Sequence, residues 1–201
     1  MNKIYFYKMT TDNGGAPCVS ENLLSLAICK PKVRSTCSKD DYIIGFGGKD
    51  YKGRLIYIAR ITDKLENGKY YKDKAYSKRP DCIYQYDHNS KPSIKQNAKY
   101  HYKGEHMKTD LSNANVLLSM DNFTYFGIEG TEEYKKQYPH INKAVASLTQ
   151  GHRVNHEKEL MRELKQLIQN LLLPTKKHGK PTDADNSKSC SDDEGSIESK
   201  C

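Results

Sequence analysis

The sequence predicts an α+β fold, in which a single domain combines a mixed or barrel-like β-sheet with peripheral helices and a C-terminal helix. Short segments with strand-like alternation occupy the first two thirds of the chain, one long amphipathic segment follows, and a polar stretch without periodicity comes last. A length of 201 residues suits one domain with an appendage. We therefore assign residues 1–174 to the domain and residues 175–201 to a disordered polar and acidic tail.

The predicted strands are marked by alternating apolar and aromatic residues. Residues 3–10 alternate in this way, and a glycine-rich turn follows at residues 12–17. Residues 54–62 give the strongest strand pattern in the chain. Further strands are expected at residues 42–48, 82–86, 116–119 and 123–127, with residues 42–62 forming a hairpin or meander.

Helices are predicted at three places. Ser20 is suited to cap a short helix over residues 23–28, which Pro31 would end. A second short helix is expected at residues 131–138. Residues 155–173 give the clearest helix, because leucines recur there with 3.6-residue spacing and acidic side chains lie in the first turn.

One internal segment lacks a clear pattern. Residues 87–110 are polar and contain three histidines and several lysines. Connections of this length without their own secondary structure are usually functional or disordered. The sequence therefore predicts a long mobile insertion at this place in the domain.

Charge is divided unevenly along the chain. The formal net charge is +8, but residues 183–201 hold six acidic and two basic side chains. This tail therefore contributes −4, and the other 182 residues contribute +12. A basic body favours a polyanionic partner, nucleic acid or nucleotide, although a lysine-rich surface also serves solubility alone.

Several classes of protein are excluded or disfavoured. No apolar run approaches the roughly 20 residues that a membrane span needs, and the first residues lack the apolar stretch of a signal peptide. The six cysteines form no C-x-x-C pair, so we expect reduced thiols in the cytoplasm and no metal site. No phosphate-binding loop, dinucleotide fingerprint or serine elbow occurs, and no cofactor is predicted.

Eight short segments carry a resemblance to a known family. They are Thr11–Pro17, Leu26–Arg34, Asp41–Gly47, Gly53–Thr62, Asp81–Tyr84, Val116–Ser119, Phe123–Gly127 and Gly151–Arg153. Taken in this order, they resemble the second type of nucleotide modification associated domain, which is found in bacteria and phages. The resemblance covers about residues 3–173 and implies a link to modified bases in DNA.

Residues 41–62 are also similar to PUA-like domains such as EVE and YTH, which are small β-barrels that hold a flipped or modified base in an aromatic cage. These resemblances imply a module that binds a modified base or nucleotide in DNA and serves base modification or its restriction. The alternative is an enzyme that acts on a nucleotide or modified base, of transferase or glycosidase type. The sequence leaves the oligomeric state open.

Candidate site residues follow from what a flipped base requires, namely a stacking surface, polar groups for its edge and cations for the flanking phosphates. Base contacts are expected from Asp12, Asn13, Tyr57, Asp81, Tyr84, Tyr125 and Phe126. Phosphate contacts are expected from Lys30, Arg34, Arg60, His152 and Arg153. In the enzyme alternative, Asp12 is the general base or nucleophile and His152 is the acid. A structural role in a turn, a core or an ion pair stays open for each of these residues.

Overall fold

The computed structural model describes residues 2–149, 151–173 and 179–184, and it confirms the predicted α+β class. The strands are β1 (Ile4–Met9), β2 (Cys18–Ser20), β3 (Leu23–Leu26), β4 (Tyr42–Gly47), β5 (Leu55–Arg60), β6 (Asp63–Leu65), β7 (Tyr84–Tyr86), β8 (Pro92–Ile94), β9 (Val116–Met120), β10 (Phe123–Tyr125) and β11 (His152–Arg153). The α-helices are α1 (Pro31–Thr36), α2 (Lys69–Lys72), α3 (Gly104–Asp110), α4 (Tyr134–Gln137), α5 (Pro139–Ser147) and α6 (Lys158–Leu171).

The strands form open sheets. The larger sheet has five strands in the order β10-β5-β4-β1-β11, and the second has four in the order β2-β3-β9-β6. In the larger sheet β1 and β4 are parallel, whereas the other pairs are antiparallel. The prediction of a mixed sheet is therefore confirmed, and the barrel-like alternative is wrong for the described residues.

One face of the five-stranded sheet is covered by α5 and α6, and we call it the helical face. Its side chains alternate along the strands and pack against the inward sides of the two helices. The core on this side contains Ile4, Phe6, Ile44, Phe46, Ile58, Ile141, Leu160, Leu164 and Leu167. The prediction of a C-terminal amphipathic helix is confirmed by α6.

The other face of the same sheet carries Tyr5, Tyr7, Tyr57 and Tyr125, and we call it the tyrosine face. It belongs to the core that includes β3 and β9 of the four-stranded sheet. The buried tyrosine rings share this core with Leu24, Leu26, Val116 and Leu117. Polar hydroxyl groups therefore lie inside the domain on this side of the sheet.

Two of the predicted helices differ from the structure. The helix expected over residues 23–28 is wrong, because this apolar run forms β3 and pairs with both β2 and β9. Pro31 begins α1 instead of ending a helix, since its fixed φ suits the first helical position. Pro139 likewise begins α5, and the helix expected at residues 131–138 is reduced to α4.

The two segments without periodicity contribute to the fold. Residues 87–110 contain β8 and α3 and bury Tyr100, His101 and Asp110. Residues 179–184 lie against the body, where Gly179 N donates to Tyr125 O and Ile128 N donates to the carbonyl of residue 180. These contacts are unexpected for a segment assigned to a disordered tail. The other predicted tail residues, 175–178 and 185–201, lie outside the described residues. Within the described residues, no helix is long and apolar enough to cross a bilayer.

Candidate functional site

The carboxylate of Asp12 lies buried just beyond the end of β1, with 1% of the residue exposed. Oδ1 accepts a hydrogen bond from the Tyr125 hydroxyl at 2.6 Å. Oδ2 accepts from both the backbone N–H and the hydroxyl of Thr182, at 3.0 and 2.9 Å. The carboxylate is therefore satisfied by hydrogen-bond donors from the end of the sheet and from the C-terminal segment. We call Asp12, Tyr125, Thr182 and Asp183 the Asp12 site.

The turn after β1 is closed by Asn13, whose Oδ1 accepts from Gly15 N at 3.0 Å. This is the side-chain turn that Asx residues form, so Asn13 makes it while the Asp12 side chain points to other partners. Gly14 adopts a φ of +85°, and a Cβ at Gly15 would lie 2.9 Å from the Tyr100 ring. Glycine is thus required at both positions for the loop to pack as it does.

Tyr7, Tyr57 and Tyr125 lie on three strands of the five-stranded sheet and share the core of the tyrosine face, where Tyr125 reaches Asp12. Tyr7 on β1 and Tyr57 on β5 share a hydrogen bond between their hydroxyls of 2.7 Å. Gly45 lies between them on β4, and a Cβ there would come within 2.3 Å of the Tyr57 ring. Burial raises the pKa of Tyr57 and of Tyr125, so both hydroxyls stay protonated at neutral pH, and the Tyr125 hydroxyl donates to Asp12.

The C-terminal segment covers the Asp12 site. Asp183 Oδ2 accepts from Asp12 N at 2.9 Å and also from the Tyr51 hydroxyl, while Asp183 N donates to Asp12 O at 2.9 Å. Burial and the hydrogen bond to Asp183 raise the pKa of Tyr51. Thr182 and Asp183 were not predicted as site residues, because their surroundings in the sequence have the composition of a disordered chain.

Basic groups lie beside Tyr7 on the tyrosine face. The Lys30 ammonium lies 5.1 Å from the centre of the Tyr7 ring, which is within cation–π range. His152 pairs with Tyr7 across the β1–β11 ladder, and burial together with Lys32 and Lys30 lowers its pKa. We call Lys30, Lys32 and His152 the basic border. Arg153 follows it on β11 and donates from Nε to Asn155 O at 3.3 Å.

Other predicted base-contacting residues lie elsewhere. Asp81 is fully buried and accepts from Ser25 and from the Tyr70 hydroxyl, at 2.6 Å for the latter. Burial raises the pKa of Asp81 although Arg79 opposes this effect. Tyr84 donates to Asp110 Oδ2 at 2.6 Å, and Phe126 packs against the core on the helical face.

Two predicted phosphate ligands have other partners. Arg34 is completely buried and donates to the backbone carbonyls of Cys29, Asn115 and Asp110. Arg60 pairs with Asp40 at 2.8 Å on the surface. The structure therefore brings Asp12, Asn13, Tyr57, Tyr125, Lys30 and His152 to one face and places Asp81, Tyr84, Arg34, Arg60 and Phe126 away from it.

A second cluster of functional side chains, formed by Cys29, His101 and Asp110, was not predicted from the sequence. Cys29 Sγ lies 3.2 Å from His101 Nε2, and His101 Nδ1 lies 2.5 Å from Asp110 Oδ2. Cys29 N also donates to Asp110 Oδ1 at 2.7 Å. A cysteine and a histidine 72 residues apart show no spacing pattern, and their joint presence in the chain is the only sequence signal. The three groups form a line, and no metal-ligating group of three or more occurs in the described part of the chain.

These observations define an α+β domain with a buried, tyrosine-bonded carboxylate at the end of its first strand and a basic border beside it. The chain belongs to the nucleotide modification associated domain 2 family, whose model matches residues 1–188. The resemblance found in the sequence is thereby confirmed, and the matched range includes Thr182 and Asp183. No curated protein and no solved structure matches the chain.

Proposed function

We propose that the Asp12 site binds a modified base or nucleotide in DNA, and that the protein is a recognition module in base modification or its restriction. One observation supports this role most directly: the Asp12 carboxylate is buried and bonded only to neutral donors among the described contacts of its oxygens. A carboxylate in this setting recognises N–H groups, such as the exocyclic amino group of a base. The membership in a family associated with nucleotide modification agrees with such a ligand.

Thr182 suggests how the base would be held. Its N–H and hydroxyl both donate to Asp12 Oδ2. Adjacent N–H groups along a base edge offer a similar pair of donors, so a ligand would take the place of Thr182 on this oxygen. The C-terminal segment must then move aside for binding.

The tyrosines contribute their hydroxyl groups, and not their ring faces, to ligand binding. The rings of Tyr7, Tyr57 and Tyr125 are each at most 2% exposed, so they offer no open face on which a base can stack. The Tyr125 hydroxyl already bonds Asp12, and the Tyr7–Tyr57 pair lies on the same face of the sheet. These hydroxyl groups position polar contacts around the base, and the buried rings form no open aromatic cage.

The basic border supplies the phosphate contacts. Lys30 and His152 lie next to Tyr7, and both Lys30 and Lys32 act on the His152 ring electrostatically. Positive groups beside a base site attract the phosphates that flank a base in DNA. Arg153 follows His152 on this short strand, but it pairs with Phe6 of the helical face and acts electrostatically on His156, so it lies on the opposite side of the sheet from the basic border.

A binding series with Asp12→Asn tests the proposal. Modified and unmodified nucleotides and short DNAs are titrated against the parent, Asp12→Asn and the control Asp40→Asn, and the products are examined by mass spectrometry. We expect Asp12→Asn to cost about 1–3 kcal/mol of affinity for the modified ligand, because a buried acceptor for a base N–H is lost. Equal affinity in the parent and Asp12→Asn would contradict the proposal. Retained affinity with a large loss of turnover would instead identify the enzyme alternative.

Salt dependence tests the basic border separately. If the protein contacts phosphates of duplex DNA, the slope of log affinity against log salt is about −0.9 for each phosphate neutralised. Lys30→Ala and Lys32→Ala should each weaken binding and reduce that slope. The control is Lys143→Ala, because Lys143 is exposed on α5 at the helical face. Equal slopes for all four proteins would contradict the assignment of the border.

A further inference from the structure

We propose that Cys29, His101 and Asp110 form a catalytic triad, in which the Cys29 thiol is the nucleophile that attacks the carbonyl carbon of an ester or amide. This activity lies outside the Asp12 site and does not depend on nucleotide binding there. It assigns a covalent, acyl-transferring chemistry to a part of the domain that the family description does not address.

The hydrogen-bond order of the cluster fixes the role of each group. An ionised carboxylate only accepts, so the 2.5 Å contact places the proton of neutral His101 on Nδ1, facing Asp110. Nε2 is then the basic nitrogen, and it faces the Cys29 thiol at 3.2 Å. Nucleophile, base and orienting carboxylate thus follow one another as in the triads of cysteine and serine hydrolases.

Asp110 is held in place from several directions. It is completely buried and accepts from the Tyr84 hydroxyl at 2.6 Å, and the Arg34 guanidinium lies 3.5 Å from its other oxygen. Because Oδ1 also accepts from Cys29 N, one carboxylate fixes both the backbone of the nucleophile and the ring of the base. Side chains held in this way have the preorganised geometry that catalysis requires.

The backbone around the cluster is unusual. Cys29, Lys30 and His101 adopt φ angles of 57°, 46° and 47°, in the left-handed region that residues other than glycine rarely enter. Such conformations carry a free-energy cost and concentrate at functional sites. Two of the three triad members therefore have backbone conformations that the surrounding structure must hold.

Cys29 also differs from the other cysteines that the structure describes. Cys18, Cys37 and Cys82 are buried, and burial raises the pKa of each thiol, to about 12 for Cys37. Cys29 is partly exposed and lies against a histidine. Among the described cysteines, Cys29 has the surroundings of a nucleophile.

The proposed step balances without a further reactant except water. His101 Nε2 takes the thiol proton, the sulfur attacks the carbonyl carbon, and a C–S bond forms. The bond to the leaving alcohol or amine breaks, and this group departs with the proton from His101. Water then attacks the thioester with His101 again as the base, which releases the acid and restores the thiol.

The parent protein gives a test that needs no substitution. The full chain is treated with p-nitrophenyl acetate, the release of nitrophenol is followed, and peptide mass spectrometry locates the acetyl group. We expect a burst of nitrophenol and an acetyl group on Cys29 in preference to the other five cysteines. Acetylation elsewhere, or at Cys29 no faster than at the others, would overturn the proposal.

Variants separate catalysis from structure. His101→Asn removes the base, retains a donor for Asp110 and tolerates the left-handed backbone. We expect this variant to acetylate Cys29 about 100-fold more slowly or worse, and Cys29→Ser to lose the burst. The controls Cys82→Ala and His88→Asn should retain it, and circular dichroism checks that each protein is folded. A folded His101→Asn variant with an unchanged rate would show that the cluster is only structural.

Discussion

The two faces of the five-stranded sheet are built from the same strands but with different chemistry. The helical face is apolar and lies beneath α5 and α6. The tyrosine face buries hydroxyl groups, and at its end the Asp12 carboxylate is bonded by Tyr125. Because alternate residues of one strand serve both faces, each strand contributes to stability on one side and to polar contacts on the other. The comparison predicts that substitutions on the two faces affect different properties.

The largest expected effect is a loss of stability from the helical face. Leu164 on α6 is completely buried. Leu164→Ala removes apolar contacts and leaves a cavity, which costs about 2–5 kcal/mol of the free energy of unfolding. Denaturant unfolding measures this loss, with the exposed Lys165→Ala as the control. Ligand affinity of the folded protein should be unchanged, and a parallel loss of affinity would contradict the division between the faces.

Gly45→Ala disturbs the tyrosine face from inside the sheet. The added Cβ would lie within 2.3 Å of the Tyr57 ring and 2.8 Å of the Met9 sulfur. We expect a loss of about 1–3 kcal/mol in stability, together with weaker ligand binding, because the ring must shift. Gly104→Ala is the control, since a Cβ there meets nothing within 4 Å. If Gly45→Ala unfolded with the same denaturant midpoint as the parent, this account of the site would be wrong.

A pair of Tyr→Phe substitutions compares the two faces directly. Tyr125→Phe removes the donor to Asp12, and Tyr134→Phe removes the hydrogen bond to Gly53 O at 2.7 Å beside the helical core. Each lost hydrogen bond should cost about 1 kcal/mol of stability. We expect only Tyr125→Phe to change the affinity for the modified ligand in a titration. Equal effects of both variants on affinity would contradict the assigned role of Tyr125.

The smallest expected effect is a loss of stability at mildly acidic pH, which depends on His156. His156 stacks on Phe6 with ring centres 5.4 Å apart, and its Nε2 lies 2.7 Å from Ile4 O. Burial lowers the pKa of His156, so folding favours the neutral ring. Its contribution to stability is complete above the unfolded pKa of about 6.5 and is lost as the pH falls through the lower folded value. The free energy of unfolding, measured between pH 7 and 5, should therefore depend less on pH in His156→Gln than in the parent. The exposed control His88→Gln should keep the pH dependence of the parent.

Local patterns allowed much of the fold to be predicted. β1, β4, β5, β9, β10 and α6 all follow apolar periodicity in the sequence. β3 did not, because a run such as Leu23–Ile28 suits a strand or a helix equally and is decided by pairing with β9. The segment around α3 was missed since the side chains that it buries are His101, His106 and Asp110, which are usually exposed.

The candidate site was predicted less completely, for a related reason. Asp12 and Arg34 look alike in sequence as charged residues near the ends of predicted elements. In the structure Arg34 is enclosed by three backbone carbonyls, whereas Asp12 meets the C-terminal segment. Neither the partners of a buried charge nor a long-range pair such as Cys29 and His101 can be derived from local patterns.

The position of β1 in the sheet has a consequence for how the protein is assembled. β1 precedes the other described strands in the sequence, but its neighbours are β4, reached through β2, β3 and α1, and β11, near the other end of the domain. Such non-local pairing slows folding, because the intervening chain must close before the contacts form. Only Phe6 and Tyr7 pair with β11, and a chain that stops before His152 leaves this edge of β1 exposed. An unpaired edge can pair with strands of other molecules, so pairing with β11 protects this edge of β1 from aggregation. This protection forms only after most of the domain has been synthesised.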